Sequence, residues 1–140
     1  LNDPRILILD EPTAGLDPKE RIRIRNLISE VAKDKIVIIA THVVTDVEFI
    51  AKEIVMLSNG KIIRSGSPSK LLKELDGKVW NIFLSDNEID EVNTGYKVSN
   101  ISRDADGVIA RIIADSYDGR WQKEAVRPNL EDLYLYLNGD

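Results

Sequence analysis

The chain has 140 residues, of which 43% are hydrophobic and 31% charged, a composition typical of a folded globular protein rather than a disordered one. It contains no cysteine and one histidine, which excludes disulfide scaffolds, cysteine nucleophiles and multi-histidine metal centres. The formal net charge of −5 argues against nucleic-acid binding, and no apolar run approaches the roughly 18 residues that a membrane-spanning helix needs.

The N-terminal part of the chain predicts a strand, a helix and a second strand. Residues 5–10 include four consecutive apolar residues, which is typical of a strand buried on both faces of a parallel sheet. Asp17 and Pro18 then favour a helix start, because aspartate caps free backbone N–H groups and proline suits the first helical position. Residues 36–40 are a second apolar strand, so we predict an α/β fold with a parallel sheet.

A helix and a hairpin follow. Residues 44–51 predict the helix. Asn59 and Gly60 are a turn-type pair between two largely apolar segments, residues 54–57 and 61–65. This arrangement predicts a β-hairpin.

Gly77 marks the predicted domain boundary, because it closes a short helix and the sequence pattern changes after it. Residues 1–76 are predicted to be the α/β region, and residues 77–140 a small α+β domain. The second domain is expected to contain strands and helices at residues 79–84, 86–92, 98–102, 108–114 and from 128 onward.

Two carboxylates and the single histidine follow the two apolar strands. Asp10 and Glu11 lie at the carboxyl end of the first strand, and His42 lies just after the second. In open α/β sheets, ligands bind beyond the carboxyl ends of the strands. Adjacent carboxylates at such a place favour Mg²⁺ with a nucleotide, because Mg²⁺ prefers one or two carboxylates together with phosphate oxygens. If the two strands are near one another, His42 faces the same crevice.

The residues around these side chains resemble the motifs of ATP-binding cassette (ABC) ATPases. Residues 6–11 are similar to the Walker B strand, residues 14–17 to the D-loop, and Thr41-His42 to the switch-histidine loop. The string LDEPTAGLDP and the following Thr-His pair are together highly specific. The resemblance implies a partial P-loop NTPase fold for residues 1–76, the C-terminal half of an ABC ATPase domain.

The C-terminal segment carries a second, less specific resemblance. Residues 128–134, with the sequence PNLEDLY, are similar to a small C-terminal domain on ATPase subunits of bacterial ABC-2-type and multidrug-type exporters. This resemblance implies an exporter.

The family resemblance implies a role for each candidate residue. Asp10 would hold Mg²⁺ through a water molecule.

 Asp10 would therefore be both a metal-binding and a cofactor-binding residue. Glu11 would polarise the attacking water, and His42 would contact the γ-phosphate, so these two are the catalytic residues. Asp17 would be a second cofactor-binding residue, at the interface between two ATPase subunits, although it also suits a helix cap.

The resemblance also implies ligands and partners. The cofactors would be ATP and Mg²⁺. The partners would be a membrane permease subunit or domain and a second ATPase subunit, with no nucleic acid. The protein would lie peripherally on the cytoplasmic face of the cell membrane.

Three motifs of the family are absent from the sequence. No G-x-x-x-x-G-K-[ST] phosphate loop occurs, and the glutamine loop and the Leu-Ser-Gly-Gly signature are missing as well. We therefore expect the natural product to begin further upstream, and this chain alone to bind ATP weakly or not at all and not to hydrolyse it. Open edges on the strands at residues 5–10 and 36–40 predict self-association.

Other functions stay open on the sequence. One is a non-transport ABC ATPase, such as a translation factor or a DNA-repair ATPase. Another is a stand-alone, non-enzymatic interaction or regulatory module that retains the ATPase motifs as relics. A third is a C-terminal domain that binds a small effector and gates the transporter.

Overall fold

The structure is a computed structural model that describes residues 2–139. The chain divides into two compact units, one reaching Lys52 and the other beginning at Glu53. Helices and strands occur in both units, so the predicted α/β class is confirmed. The boundary predicted at Gly77 lies inside the second unit and stays a prediction.

The first unit is a strand–helix–strand element followed by a short helix. β1 and β2 pair in parallel and are connected by α1. The bounds are β1 Ile6–Asp10, α1 Pro18–Val31, β2 Ile36–Ala40 and α2 Val44–Ile50.

The start of α1 agrees with the sequence. The carboxylate of Asp17 accepts a hydrogen bond of 2.9 Å from the backbone N–H of Glu20, and Pro18 is the first helical residue. An aspartate cap satisfies one of the N–H groups that a helix leaves free at its first turn. The loop between β1 and α1 therefore ends at Asp17.

The prediction that these strands are buried on both faces was wrong. Exposure alternates along β1 and β2, and one face of the pair is open to solvent. Because every position in both strands but Asp10 is apolar, the sequence carries no alternation that indicates which face is covered. The open face includes four isoleucines, Ile6, Ile8, Ile36 and Ile38, each more than half exposed.

The second unit contains a β-hairpin and a four-stranded antiparallel sheet of order β6-β7-β5-β8. Its strands are β3 Ile54–Ser58, β4 Lys61–Gly66, β5 Val79–Leu84, β6 Lys97–Asp104, β7 Gly107–Ile113 and β8 Gln122–Ala125. Its helices are α3 Pro68–Leu72, α4 Ile89–Gly95 and α5 Leu130–Asn138. Short 3₁₀ turns follow α3 and precede α4.

The hairpin forms as its turn residues predict. Asn59 and Gly60 both have positive φ angles, of 50° and 73°, and link Ser58 directly to its partner Lys61. A two-residue turn with two positive φ angles matches the right-handed twist of the flanking strands. Asparagine and glycine are the residues that tolerate this conformation best.

α5 is fixed to the sheet by a buried polar network. The Asp132 carboxylate, which is fully buried, accepts hydrogen bonds from the Arg111 guanidinium on β7, the shortest at 2.7 Å. It also accepts from the hydroxyl of Ser99 on β6 at 2.8 Å and from the backbone N–H of Asn129 at 2.9 Å. The same carboxylate therefore caps the helix and joins it to two strands.

Candidate active site

The predicted site lies where two parallel strands end side by side. Asp10, the last residue of β1, is opposite Ala40, the last residue of β2. The backbone N–H of Glu11 continues the pairing with a hydrogen bond of 2.8 Å to the carbonyl oxygen of Ala40. The segments that carry Glu11 and His42 therefore leave the sheet together.

The Glu11 carboxylate accepts hydrogen bonds from the segment after β2. Its Oε1 lies 2.7 Å from Nδ1 of His42 and accepts the backbone N–H of the same residue at 3.1 Å. Its Oε2 accepts the Thr41 hydroxyl at 2.9 Å. The structure thus joins two of the four predicted site residues, Glu11 and His42, in direct contact.

These contacts keep Glu11 ionised. The hydrogen bond with the His42 side chain lowers the pKa of the Glu11 carboxyl below its ordinary value. Desolvation opposes this shift, while the Thr41 hydroxyl and the His42 backbone N–H lower the pKa further. At neutral pH the group is a carboxylate with lone pairs left over for an additional donor, such as water.

The backbone at Glu11 adopts a conformation that few residues other than glycine adopt. Its φ angle is +47°, in the left-handed region. For a side chain with a Cβ atom this conformation costs about 1–2 kcal/mol. Strained backbone of this kind clusters at active sites and ligand-binding loops. The hydrogen bonds to the carboxylate help to hold Glu11 in place.

The His42 ring has one engaged nitrogen and one available nitrogen. When Nδ1 carries the proton, the ring donates to Glu11 and Nε2 is the acceptor. The side chain is 83% exposed, and within residues 2–139 no group bonds with Nε2. This nitrogen is therefore available to a ligand beyond the end of the sheet.

Asp10 is the predicted metal-binding residue. It is exposed at the end of β1, and no side chain in the described range 2–139 pairs with it. That range also contains no group of three His, Cys, Asp or Glu side chains arranged for a metal ion. A single exposed carboxylate fits Mg²⁺ that takes its other ligands from water and phosphate oxygens.

Asp17 is not brought into contact with the other three predicted residues. Its carboxylate caps α1, and among residues 2–139 no hydrogen bond or ion pair joins it to Asp10, Glu11 or His42. Its structural role as a helix cap is therefore visible in this chain. Its predicted role at a subunit interface stays a prediction.

A second polar cluster lies beside the site and was missed in the sequence. Thr13 and Asp46 are both nearly fully buried, at 1% and 2% exposure, and the Thr13 hydroxyl donates to the Asp46 carboxylate. Arg25 on α1 forms an ion pair with the same carboxylate at 3.4 Å. The sequence does carry a signal, because Asp46 is three residues after Val43 and four before Ile50. At this helical spacing an apolar residue is expected.

No helix in the described part of the chain, residues 2–139, is long and apolar enough to cross a membrane.

No protein-family model matches the chain. The chain is similar to Nod factor export ATP-binding protein I of Rhizobium etli, with 32% identity over 149 residues that cover 99% of this chain and 47% of that protein. It is also similar to ABC transporter A family member 8 of Dictyostelium discoideum, with 38% identity over 71 residues, 51% of this chain and 8% of that protein.

Among solved structures, the chain is similar to cbiO1 from Clostridium perfringens, described as part of the ABC transporter complex cbiONQ. The identity is 38%, the match covers 51% of this chain and 30% of that chain, and the TM-score is 0.47. The chain spans less than half the length of each of these three proteins. The relatives of this chain are ATP-binding proteins of ABC transporters.

Proposed function

We propose that these residues form the C-terminal half of the catalytic domain in the ATP-hydrolysing subunit of an ABC transporter. The observation that carries the proposal is the Glu11 carboxylate, held by Thr41 and His42 beyond the carboxyl ends of two parallel strands. The exposed carboxylate of Asp10 lies next to it in the sequence. ATP-binding proteins of ABC transporters among the relatives support the same function.

Glu11 orients and polarises the water that attacks the γ-phosphate. An ionised carboxylate accepts a hydrogen bond from that water and so increases its nucleophilic character. Phosphoryl transfer depends mainly on positioning and on charge stabilisation, so the fixed place of the carboxylate matters as much as its basicity. The contacts with Thr41 and His42 supply that fixed place.

His42 serves the reaction through its two ring nitrogens. Nδ1 bonds with Glu11 and sets the orientation of the ring, while Nε2 is left for the γ-phosphate or the attacking water. A residue that touches both the phosphate and Glu11 registers whether the phosphate is present. This gives His42 a combined catalytic and sensing role.

Asp10 would hold Mg²⁺. The ion would supply positive charge that stabilises the charge developing on the phosphates. Asp17 lies at the interface with a second ATPase subunit and, with Asp10, contributes to the nucleotide site. Its bond to the Glu20 N–H orients the loop that would reach that interface.

Catalysis requires a phosphate-binding loop that this sequence does not contain. Because the sequence has no G-x-x-x-x-G-K-[ST] loop, it lacks the backbone cradle and the lysine that bind the β- and γ-phosphates. The 140 residues alone therefore do not hydrolyse ATP, and the activity belongs to a longer ATPase that contains them. That protein acts with a second ATPase subunit and a membrane permease, on the cytoplasmic face of the membrane.

The transporter is an exporter. The match to Nod factor export ATP-binding protein I extends over 99% of this chain and so includes the second unit, whereas the match to the Dictyostelium protein covers 51%. We assign residues 77–140 to an accessory domain of the kind found on bacterial exporter ATPases. A neighbouring gene for a membrane protein with about six helices is the expected genetic context.

The test is ATP hydrolysis by the whole transporter ATPase that contains these residues, with the variant Glu11→Gln. Removing a positioned general base is expected to lower kcat at least about 100-fold while ATP still binds. Glu30→Gln is the matched control, because Glu30 is exposed on α1 and pairs only with its helix neighbour Lys33 in the described range 2–139. Wild-type turnover in the Glu11 variant would refute the proposed function.

A further inference from the structure

Asp46 is a buried carboxylate beside the proposed active site. The residue is 2% exposed, on the first turn of α2. Taking a carboxylate out of water is costly unless hydrogen bonds and an opposite charge compensate for the loss of hydration. Here the Thr13 hydroxyl donates to one oxygen and Arg25 approaches the other at 3.4 Å.

The Thr13–Asp46 bond joins the two segments that carry the catalytic residues. Thr13 is two positions after Glu11, and Asp46 is four positions after His42. The bond therefore adds a further link between the two segments that the contacts of Glu11 with Thr41 and His42 already join. It is the buried one among these links, because the Thr41–Glu11 bond is partly buried and the His42 side chain is 83% exposed.

Burial makes the Thr13–Asp46 bond more persistent than the exposed Glu11–His42 contact. Water competes for an exposed hydrogen bond, whereas a buried bond between a hydroxyl and a carboxylate is stronger in the low-dielectric interior. Breaking it leaves a buried acceptor unsatisfied. The Thr13–Asp46 bond is thus suited to hold the Glu11 and His42 segments in a fixed relative position.

Arg25 holds Asp46 from the opposite side. Its guanidinium lies on α1, with its centre 4.4 Å from the Phe49 ring, so it stacks on α2 as well as pairing with the carboxylate. Arginine suits this position because its planar group combines an ion pair with ring stacking. The Arg25 side chain therefore extends the link from the two loops to α1.

We infer that Asp46 and Thr13 are positioning residues that hold the Glu11 loop in register with the His42 loop. The inference rests on the proposed ATPase function. Neither side chain touches the reacting atoms, so both act through Glu11 and His42. Loss of the link is expected to reduce the rate of the chemical step with little effect on ATP binding.

The test measures kcat and KM for ATP in the whole transporter ATPase. Thr13→Val keeps the shape of the side chain and removes its hydroxyl, and is expected to lower kcat about tenfold or more with KM changed by less than about twofold. Thr13→Ser restores the hydroxyl and is expected to restore most of kcat. If Thr13→Val fails to fold, Thr13→Ala leaves space for water to satisfy Asp46 and takes its place.

Two controls separate this inference from a general loss of stability and from the proposed function. Ile28→Val removes one buried methylene from α1 and is expected to lower Tm while kcat stays unchanged. A fall in kcat with Ile28→Val as large as that with Thr13→Val would overturn the positioning role. If Glu11→Gln abolishes hydrolysis but both Thr13 variants keep wild-type kcat, this inference fails and the proposed function stands.

Discussion

Replacing Asp132 with alanine is expected to destabilise the second unit strongly. The change removes a fully buried carboxylate that bonds with Arg111, Ser99 and the backbone N–H of Asn129. It leaves the Arg111 guanidinium, which is 19% exposed, without its charge partner. Breaking a buried ion pair from one side costs about 3–5 kcal/mol. A native domain has a free energy of unfolding of about 5–15 kcal/mol, so a large fraction of it would be lost.

The assay is urea denaturation and thermal denaturation, each followed by tryptophan fluorescence. Both tryptophans of the chain, Trp80 and Trp121, lie in the second unit, so the signal reports on that unit. At about 4–8 °C per kcal/mol, the expected change corresponds to a fall in Tm of at least about 12 °C. Glu131→Ala is the matched control, because its side chain is exposed on the same helix turn.

A loss of less than about 1 kcal/mol for Asp132→Ala would refute this reasoning. It would mean that the buried ion pair offsets little more than the cost of its own desolvation, and that apolar packing alone holds α5 on the sheet.

Two further predictions concern the surface pair Arg64–Glu74 and the cap of α1. The hydrogen bond from Arg64 lowers the pKa of Glu74, so the pair stabilises the fold above the ordinary glutamate pKa and loses this contribution as the pH falls through the lowered value. Urea denaturation measures how much the free energy of unfolding falls between pH 7 and about pH 3. This fall should be smaller for Arg64→Gln than for the wild type, by up to about 1 kcal/mol because solvent screens the pair. An equal fall in both proteins would contradict the prediction. Asp17→Ala removes a cap worth about 1 kcal/mol, so the Glu20 amide should exchange its hydrogen about fivefold faster, and an unchanged rate would contradict the capping role.

Local signals in the sequence predicted most of the elements because each has a direct physical cause. The Asp17 cap, the proline after it and the Asn59-Gly60 turn all act through nearby backbone groups, and all three appear as expected. The proximity of Glu11 and His42 was predicted from the sheet rather than from local sequence. Two parallel strands end at the same edge, so the residues after them meet there.

The strand β8 was missed because its sequence carries no strand pattern. Its four residues, Gln122–Ala125, are all exposed, and it forms the edge of the sheet beside β5. An edge strand with charged side chains buries little apolar surface. Its sequence therefore lacks the alternation of apolar and polar residues from which a strand is predicted. Its place is set by backbone pairing with β5, which depends on the rest of the unit.

The role of Asp46 was missed for a different reason. A single aspartate on a short helix is usually a solvated residue. Its burial depends on Thr13 and Arg25, which are distant in the sequence and meet it only after folding. Its apolar-stripe position was the one available indication. Contacts between residues that are distant in the sequence depend on the tertiary structure, so local sequence patterns do not predict them.

The most direct test of the proposed function is a structure of the whole ATPase with Mg²⁺ and a non-hydrolysable ATP analogue. The proposed function predicts that Nε2 of His42 lies within hydrogen-bond distance of the γ-phosphate. It also predicts that Glu11 contacts a water molecule placed in line with the γ-phosphate. Asp10 should approach the Mg²⁺ through water. A nucleotide bound elsewhere, with Glu11 and His42 remote from its phosphates, would contradict the account.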